Sequence, residues 1–200
     1  MRTEESKRVV LMLLEDRKQV LREKLRDPDE GVRRAAASAL DALESALDLT
    51  EILDLLKRGN RGQRVKALLA LERINSVEVF PPLLAALSYP DEDIRSTAVQ
   101  VLGRKKNPKV MGNLVQCLGD AHPAVRVHAA EALGRFSDPR LVPHLTGLLD
   151  EQDVELVKAA IRSLGAIGCK NAEAALIARL GHENAGIRRE AVTALGQLEL

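Results

Sequence analysis

Apolar residues recur along this chain at the spacing of one helix face, and the whole pattern then returns every 31 residues. Ala36, Ala67, Ala98, Ala129, Ala160 and Ala191 stand at that step without exception. So do Leu40, Leu71, Leu102, Leu133, Leu164 and Leu195. Val32, Gln63, Ile94, Val125, Leu156 and Ile187 form a third column, and Arg33, Arg64, Arg95, Arg126, Val157 and Arg188 a fourth. Six copies at one period, with no insertion or deletion, define a repeat array.

Each repeat predicts two helices, A and B. Helix A follows a capping position held by Ser45, Ser76, Asn107, Asp138 and Cys169. Asn107-Pro108 and Asp138-Pro139 pair a cap with a proline at the first helical position. Pro81, Pro82 and Pro143 come a turn later, so helix A of the third and fifth repeats is expected to kink there. A tight turn follows, with Asp29, Asn60, Asp91, His122, Asp153 and Asn184 as caps for helix B, His122 being an imperfect one. Gly103, Gly134, Gly165 and Gly196 fall in the last turn of helix B and are expected to help end it. The first two repeats carry Asp41 and Glu72 there instead, so their helices are expected to run longer. Thr3 to Arg26 reads as one long helix or two abutting ones, its stretch Val9 to Leu14 covering the open end of the first repeat.

Projected on a helical wheel, the columns headed by Val32, Ala36, Ala39, Leu40 and Leu43 form one side of helix B and the expected core. The alanine columns mark where neighbouring backbones come closest. The columns headed by Arg34, Ala35, Ser38 and Ala42 vary and face away.

Composition agrees with this picture. Aromatics are only 2%, with no Trp, so the core is aliphatic, as suits packed helices rather than a sheet. Net charge is +1, so no global field draws nucleic acid or a membrane. Val9 to Leu14 is too short to span a bilayer or to form a signal-peptide core. A cytoplasmic protein is the expectation. Cys117 and Cys169 form no C-x-x-C; Cys117 reads as core, and Cys169 as a cap residue.

Asp120 to Gly134, followed by Asp138 to Leu145, resembles a consensus copy of the HEAT-like repeat named after phycobilisome (PBS) lyases, a bacterial family. The resemblance covers residues 15 to 200. It implies an all-α protein, an α-solenoid of six helical hairpins wound as a right-handed superhelix, with B helices on the concave side. As one domain, residues 1–200 would hold a cap over 1–14 and repeats near 15–44, 45–75, 76–106, 107–137, 138–168 and 169–200.

The resemblance says little about activity, and the expectation is a non-catalytic scaffold that binds a protein or peptide on the concave face. That face would carry Lys66, Leu69, Arg73, Thr97, Gln100, Arg104, His128, Glu131, Arg135, Lys158, Arg162, Arg189 and Thr193. With Lys105 and Lys106 its C-terminal half is basic and favours an acidic partner. The opposing reading is a solvated face screened by Glu131, Glu155 and Glu190. The arginine column could bind anions; in the family such arginines more often bond acidic turn residues, for which Asp29, Asp91 and Asp153 are placed.

No catalytic residue, cofactor site or metal site is expected. His122, His128, His144 and His182 lie in different columns, and none has the spacing of a metal pair. Iron-dependent HEAT-like hydroxylases carry His-Glu dipeptides within helix B, and no matching pair here is His-Glu; His182-Glu183 lies in a loop. By analogy of fold alone, a bilin lyase or isomerase subunit is the enzymatic alternative. DNA binding, as in HEAT-like alkylpurine glycosylases, is disfavoured by the small charge and the lack of Trp. Val192, Leu195, Leu198 and Leu200 leave the last repeat without a polar cover, so either the array continues or this end stacks on something, a second copy included.

Overall fold

In the computed structural model the described residues are 16–199, so the expected cap over 1–14 lies outside them. The chain divides into two compact units, Met1–Asp54 and Leu55–Leu200. In the first, a helix over 16–24 ends in a turn at Leu25 and Arg26. Helix α1 (Glu30–Arg58) starts after Asp29, whose Oδ1 accepts the Val32 amide at 2.9 Å.

No helix begins after Ser45. Helix α1 runs through that position for 29 residues, joining the expected B helix of the first repeat to the A helix of the second. Residues 40–58 hold neither Gly nor Pro, and seven of the nineteen are Leu, a strong helix former, so no residue interrupts the backbone ladder. The longer helix expected from Asp41 is therefore found. The one expected from Glu72 is not, because α2 (Arg61–Arg73) ends one residue later.

The second unit holds α2 and four hairpins. Their A segments are α3 (Phe80–Ala86), α5 (Met111–Gln116), α7 (Val142–Thr146) and α9 (Glu173–Ile177). Their B helices are α4 (Glu92–Lys105), α6 (Pro123–Gly134), α8 (Val154–Ile167) and α10 (Ala185–Leu195). Each B helix packs on its own A segment and on the next B helix, α2 on α4, α4 on α6, α6 on α8 and α8 on α10.

The A segments break more widely than the prolines predict. A 3-10 turn precedes each one: Val77–Val79, Pro108–Val110, Pro139–Leu141 and Lys170–Ala172. The second and fourth of these breaks have no proline a turn later, so proline is not their cause. Pro81 and Pro82 are instead the second and third residues of α3, and Pro143 the second of α7, all in the first turn, where a missing N–H costs nothing.

The caps match the sequence reading. Asn60 and Gln63 form a reciprocal capping box on α2. Asp91, Asp153 and Asn184 accept two amides each at the starts of α4, α8 and α10. His122 makes no side-chain cap; Asp120 Oδ1 instead accepts its amide at 2.8 Å. Ser76, Asn107 and Asp138 cap the 3-10 turns, and Cys169 does not.

Burial follows the columns. From Ala67 to Ala191 the invariant alanines are at most 2% exposed, and Leu71, Leu102, Leu133 and Leu164 are fully enclosed. Each such leucine contributes about 1.5–3 kcal/mol. In the first unit the columns are less covered, with Val32 39% exposed against 0% for Val125.

The glycine column ends helices only in part: Gly134 is the last residue of α6 and Gly196 the C-cap of α10. Gly103 and Gly165 lie inside α4 and α8. A Cβ on Gly103 would fall 2.6 Å from Ala132 Cβ, and one on Gly134 would fall 2.8 Å from Ser163 Cα. One on Gly165 would fall 2.9 Å from Ala194 Cα. The glycines thus let adjacent B helices touch, each against a small residue of the next. Helices α4 and α8 end one column on, at Lys106 and Gly168, whose φ values of 49° and 75° are left-handed; Ser137 in that column has φ 49° but lies beyond Arg135, the C-cap of α6.

Candidate interaction surface

The arginine column points inward along the array. Arg95 Nη1 donates to the carbonyls of Tyr89 and Pro90, each at 2.9 Å. Arg126 Nη1 donates to the carbonyls of Asp120 and Ala121, Arg188 Nη1 to His182 and Glu183, and Arg33 Nη1 to Asp27 and Pro28. Each guanidinium therefore satisfies the carbonyls left open in the turn before its own helix. Arg64 departs from the pattern, donating to the Lys57 carbonyl and lying 5.2 Å from the Tyr89 ring centre. An anion-binding stripe is thereby overturned.

The expected acidic partners are only partly the right ones. Asp153 does meet Arg126, at 3.6 Å. Asp29 serves α1 as a cap, and Asp91 pairs with Arg61 at 3.0 Å. The strongest pair uses a residue outside that column: Asp120 takes Arg95 Nε and Nη2, both at 2.8 Å. The Arg95 fork bonded to it, aided by the His122 amide, holds the Asp120 carboxyl below the ordinary range.

The outer side of the B helices is an ion-pair lattice. Arg104 on α4 bonds Glu72 on α2 and, at 3.1 Å, Gln100 one turn back. Arg162 on α8 meets Glu131 on α6 at 3.2 Å and Glu190 on α10 at 3.7 Å. His128 Nδ1 approaches Glu131 at 3.3 Å, and Lys158 Nζ donates to Glu155 at 2.8 Å. Thr97 and Thr193 donate to carbonyls one turn earlier in their own helices. Lys66, Leu69, Arg73, Arg135 and Arg189 are exposed.

Of the two readings of the C-terminal half, a basic face and one screened by Glu131, Glu155 and Glu190, these pairs favour the screened one. Arg104, Lys158 and Arg162 have carboxylate partners. Lys105 does not face out at all: its Nζ donates to the carbonyls of Glu72 at 3.0 Å and Ile74 at 2.8 Å, closing the end of α2. Burial lowers its pKa, against the pull of Glu72. Among the described residues, Arg73, Arg135 and Arg189 have no ion-pair partner.

Three crevices open between successive B helices at their C-terminal ends. The first, between α2 and α4, has a volume of about 390 Å³ and is bounded by Glu72, Val77, Phe80 and Arg104. The second, between α4 and α6, has about 90 Å³ and is bounded by Gln100, Arg104, His128, Glu131 and Arg135. The third, between α6 and α8, has about 440 Å³ and is bounded by Lys106, Gly134, Arg135, Ser137 and Arg162.

Among the described residues no three His, Cys, Asp or Glu side chains are placed to hold a metal ion, and no helix is long and apolar enough to cross a membrane. Cys117 is buried, and burial, then Asp120, pushes its thiol up to about 11. It remains a protonated core residue at neutral pH. Cys169 is half-buried.

The pattern that describes HEAT repeats matches residues 80–164 and 149–200. The chain belongs to the HEAT-repeat family. Residues 63–89 also match the PBS lyase HEAT-like repeat. The HEAT array is similar to a chain of the complex of CpcE and CpcF of phycocyanin lyase from Nostoc sp. PCC7120, with a TM-score of 0.66, 25% identity, and 77% of this chain covered. It spans 64% of the length of that chain. The E. coli protein YIBA matches with a TM-score of 0.61 at 20% identity, over 92% of this chain and 73% of that one. A designed armadillo repeat protein in complex with peptide (KR)4 matches with a TM-score of 0.58 at 19% identity, over 91% and 99%. These neighbours show an α-solenoid fold. No curated protein matches this chain in sequence.

The HEAT repeats thus carry both a regular inner side and an irregular outer one. Sequence reasoning missed Glu72 as the partner of Arg104 and Asp120 as that of Arg95. Glu72 stands in the glycine column and Asp120 in the column of Asp27 and Tyr89, so neither position is acidic in every repeat.

Proposed function

We propose that this chain is a non-catalytic, cytoplasmic interaction scaffold, and that it binds a protein or peptide on the outer side of its B helices. One observation carries the reading: residues facing the core repeat with the array, whereas those on the outer side do not. Lys66, Thr97 and His128 share one column, and Leu69, Gln100, Glu131, Arg162 and Thr193 share another. Packing fixes the first set and leaves the second free for recognition. The crevices between B helices open on this side, and it is the side expected to be concave.

The ion-pair lattice sharpens the expectation. Arg162 sits between Glu131 and Glu190, so a partner gains from it only by displacing those pairs. Arg135 and Arg189 are free and would steer an acidic segment towards the face. With a partner isolated by affinity capture and then purified, R135E combined with K158E and R162E is predicted to weaken its binding about tenfold or more. Unchanged affinity would move the binding site elsewhere.

A second reading is favoured by the PBS lyase match over residues 63–89 and by the similarity to the CpcE–CpcF complex. In it the chain would be a subunit of a lyase that handles a bilin. Addition of a bilin to the purified chain, alone or with its captured partner, would then shift the pigment's absorption band. An unshifted spectrum in both mixtures removes this reading.

A further inference from the structure

The three crevices share one feature that the outer side does not otherwise repeat. Arg73, Arg104 and Arg135 occupy a single column, one at the C-terminal end of each of α2, α4 and α6, and all three are exposed. Arg104 borders the first two crevices, and Arg135 the second and third. The second and third crevices lie where the glycine column removes side chains, beside the Gly103–Ala132 and Gly134–Ser163 contacts. An edge of alternating cations and clefts results, advancing by one helix per step.

From this juxtaposition we propose that the C-terminal edge of the B helices docks an acidic polyproline-II segment carrying a carboxylate at every third residue. Packed helices lie about 8–10 Å apart, which sets the step of the arginines. A polyproline-II chain makes one turn in three residues and rises about 9.3 Å, so every third side chain faces the same way at that step. A β-strand cannot match it, because its side chains alternate and every third one points to the opposite face. An α-helix is about 10–12 Å across, too wide to enter a cleft of about 90 Å³, whereas the intervening residues of a polyproline-II chain reach in singly. Arg73 and Arg135 have no carboxylate to give up, and Arg104 would exchange Glu72 for the incoming acid. Glu131, which borders the second and third crevices, is occupied by Arg162 and His128. Phe80 and the His128 imidazole, in different crevices, are the rings that line them, so successive bases of a nucleic acid would find little to stack on.

The inference rests on the outer side of the B helices being the binding face. Its test is fluorescence anisotropy of the full chain with a labelled peptide of about five Glu-Pro-Pro units at low ionic strength. A peptide of identical composition with its glutamates in one block is the comparison. The periodic peptide is predicted to bind at least about five times more tightly, and R73E and R135E each to weaken it about five- to tenfold. R140E, at an exposed arginine in the 3-10 turn that precedes α7, is predicted to leave it unchanged. Equal affinity for the blocked peptide overturns the proposal, as does indifference to R73E and R135E. Tighter binding of a helical peptide with acids every seventh residue, or of oligothymidylate, also overturns it. If a captured partner still footprints on the B helices while the periodic peptide fails to bind, only this inference falls. A footprint on the A segments removes the binding face itself.

Discussion

Arg95 and Asp120 show how one residue pair ties two repeats together. Both side chains are less than 15% exposed, and both of the guanidinium's outer contacts go to one carboxylate. Folding lowers the Asp120 pKa, so the pair's contribution is complete above the unfolded value near 3.9 and fades as pH falls through the lower native value. Asp120→Asn is predicted to cost about 1–3 kcal/mol near neutral pH. Urea unfolding of both proteins should show that gap closing in acid; a gap independent of pH would assign the loss to packing. Lys106 and Ser137 offer the opposite case. Both hold a left-handed backbone with a side chain that disfavours it. Replacing either with Gly is predicted to stabilise the fold by about 0.5–1 kcal/mol in thermal melts, and a loss of stability would contradict the strain.

At the scale of the element, contact with the next helix explains Gly103, Gly134 and Gly165. Gly134→Ala should improve helix propensity, yet its Cβ would meet the Ser163 backbone, so a cost of about 1–3 kcal/mol is predicted. Gly112 in α5 has nothing within 4 Å of its Cβ, and Gly112→Ala is predicted to be neutral or stabilising. Calorimetry of the two variants separates the accounts, since a pure propensity effect would move both the same way. The period, the caps and the buried columns were legible in the sequence because each depends on local spacing and one packing neighbour. The role of glycine was not, since the partner across the contact lies 29 residues away: Gly103 on Ala132, Gly134 on Ser163 and Gly165 on Ala194. Helix α1 escaped the period because Ser45 marks a boundary by column alone, in a stretch where nothing halts a helix. The breaks in the A segments recur with and without proline, so proline was the wrong signal for them.

Across the HEAT array, regular and variable positions separate by side. The inner columns are interchangeable between repeats, and the cross-helix pairs Glu72–Arg104 and Glu131–Arg162 join neighbours on the outside. The variable side of the B helices could be read from the sequence, and its charge balance only in part. Arg104 read as a free cation because Glu72 lies in another column, whereas Glu155 beside Lys158 and Glu131 and Glu190 beside Arg162 were legible as screening carboxylates; Lys105 read as part of the outer face although it closes α2. Hydrogen–deuterium exchange of the chain with and without a purified partner tests the central claim most directly. The account predicts added protection in α4, α6 and α8, with the A segments α5, α7 and α9 unchanged. Protection confined to those A segments would contradict it.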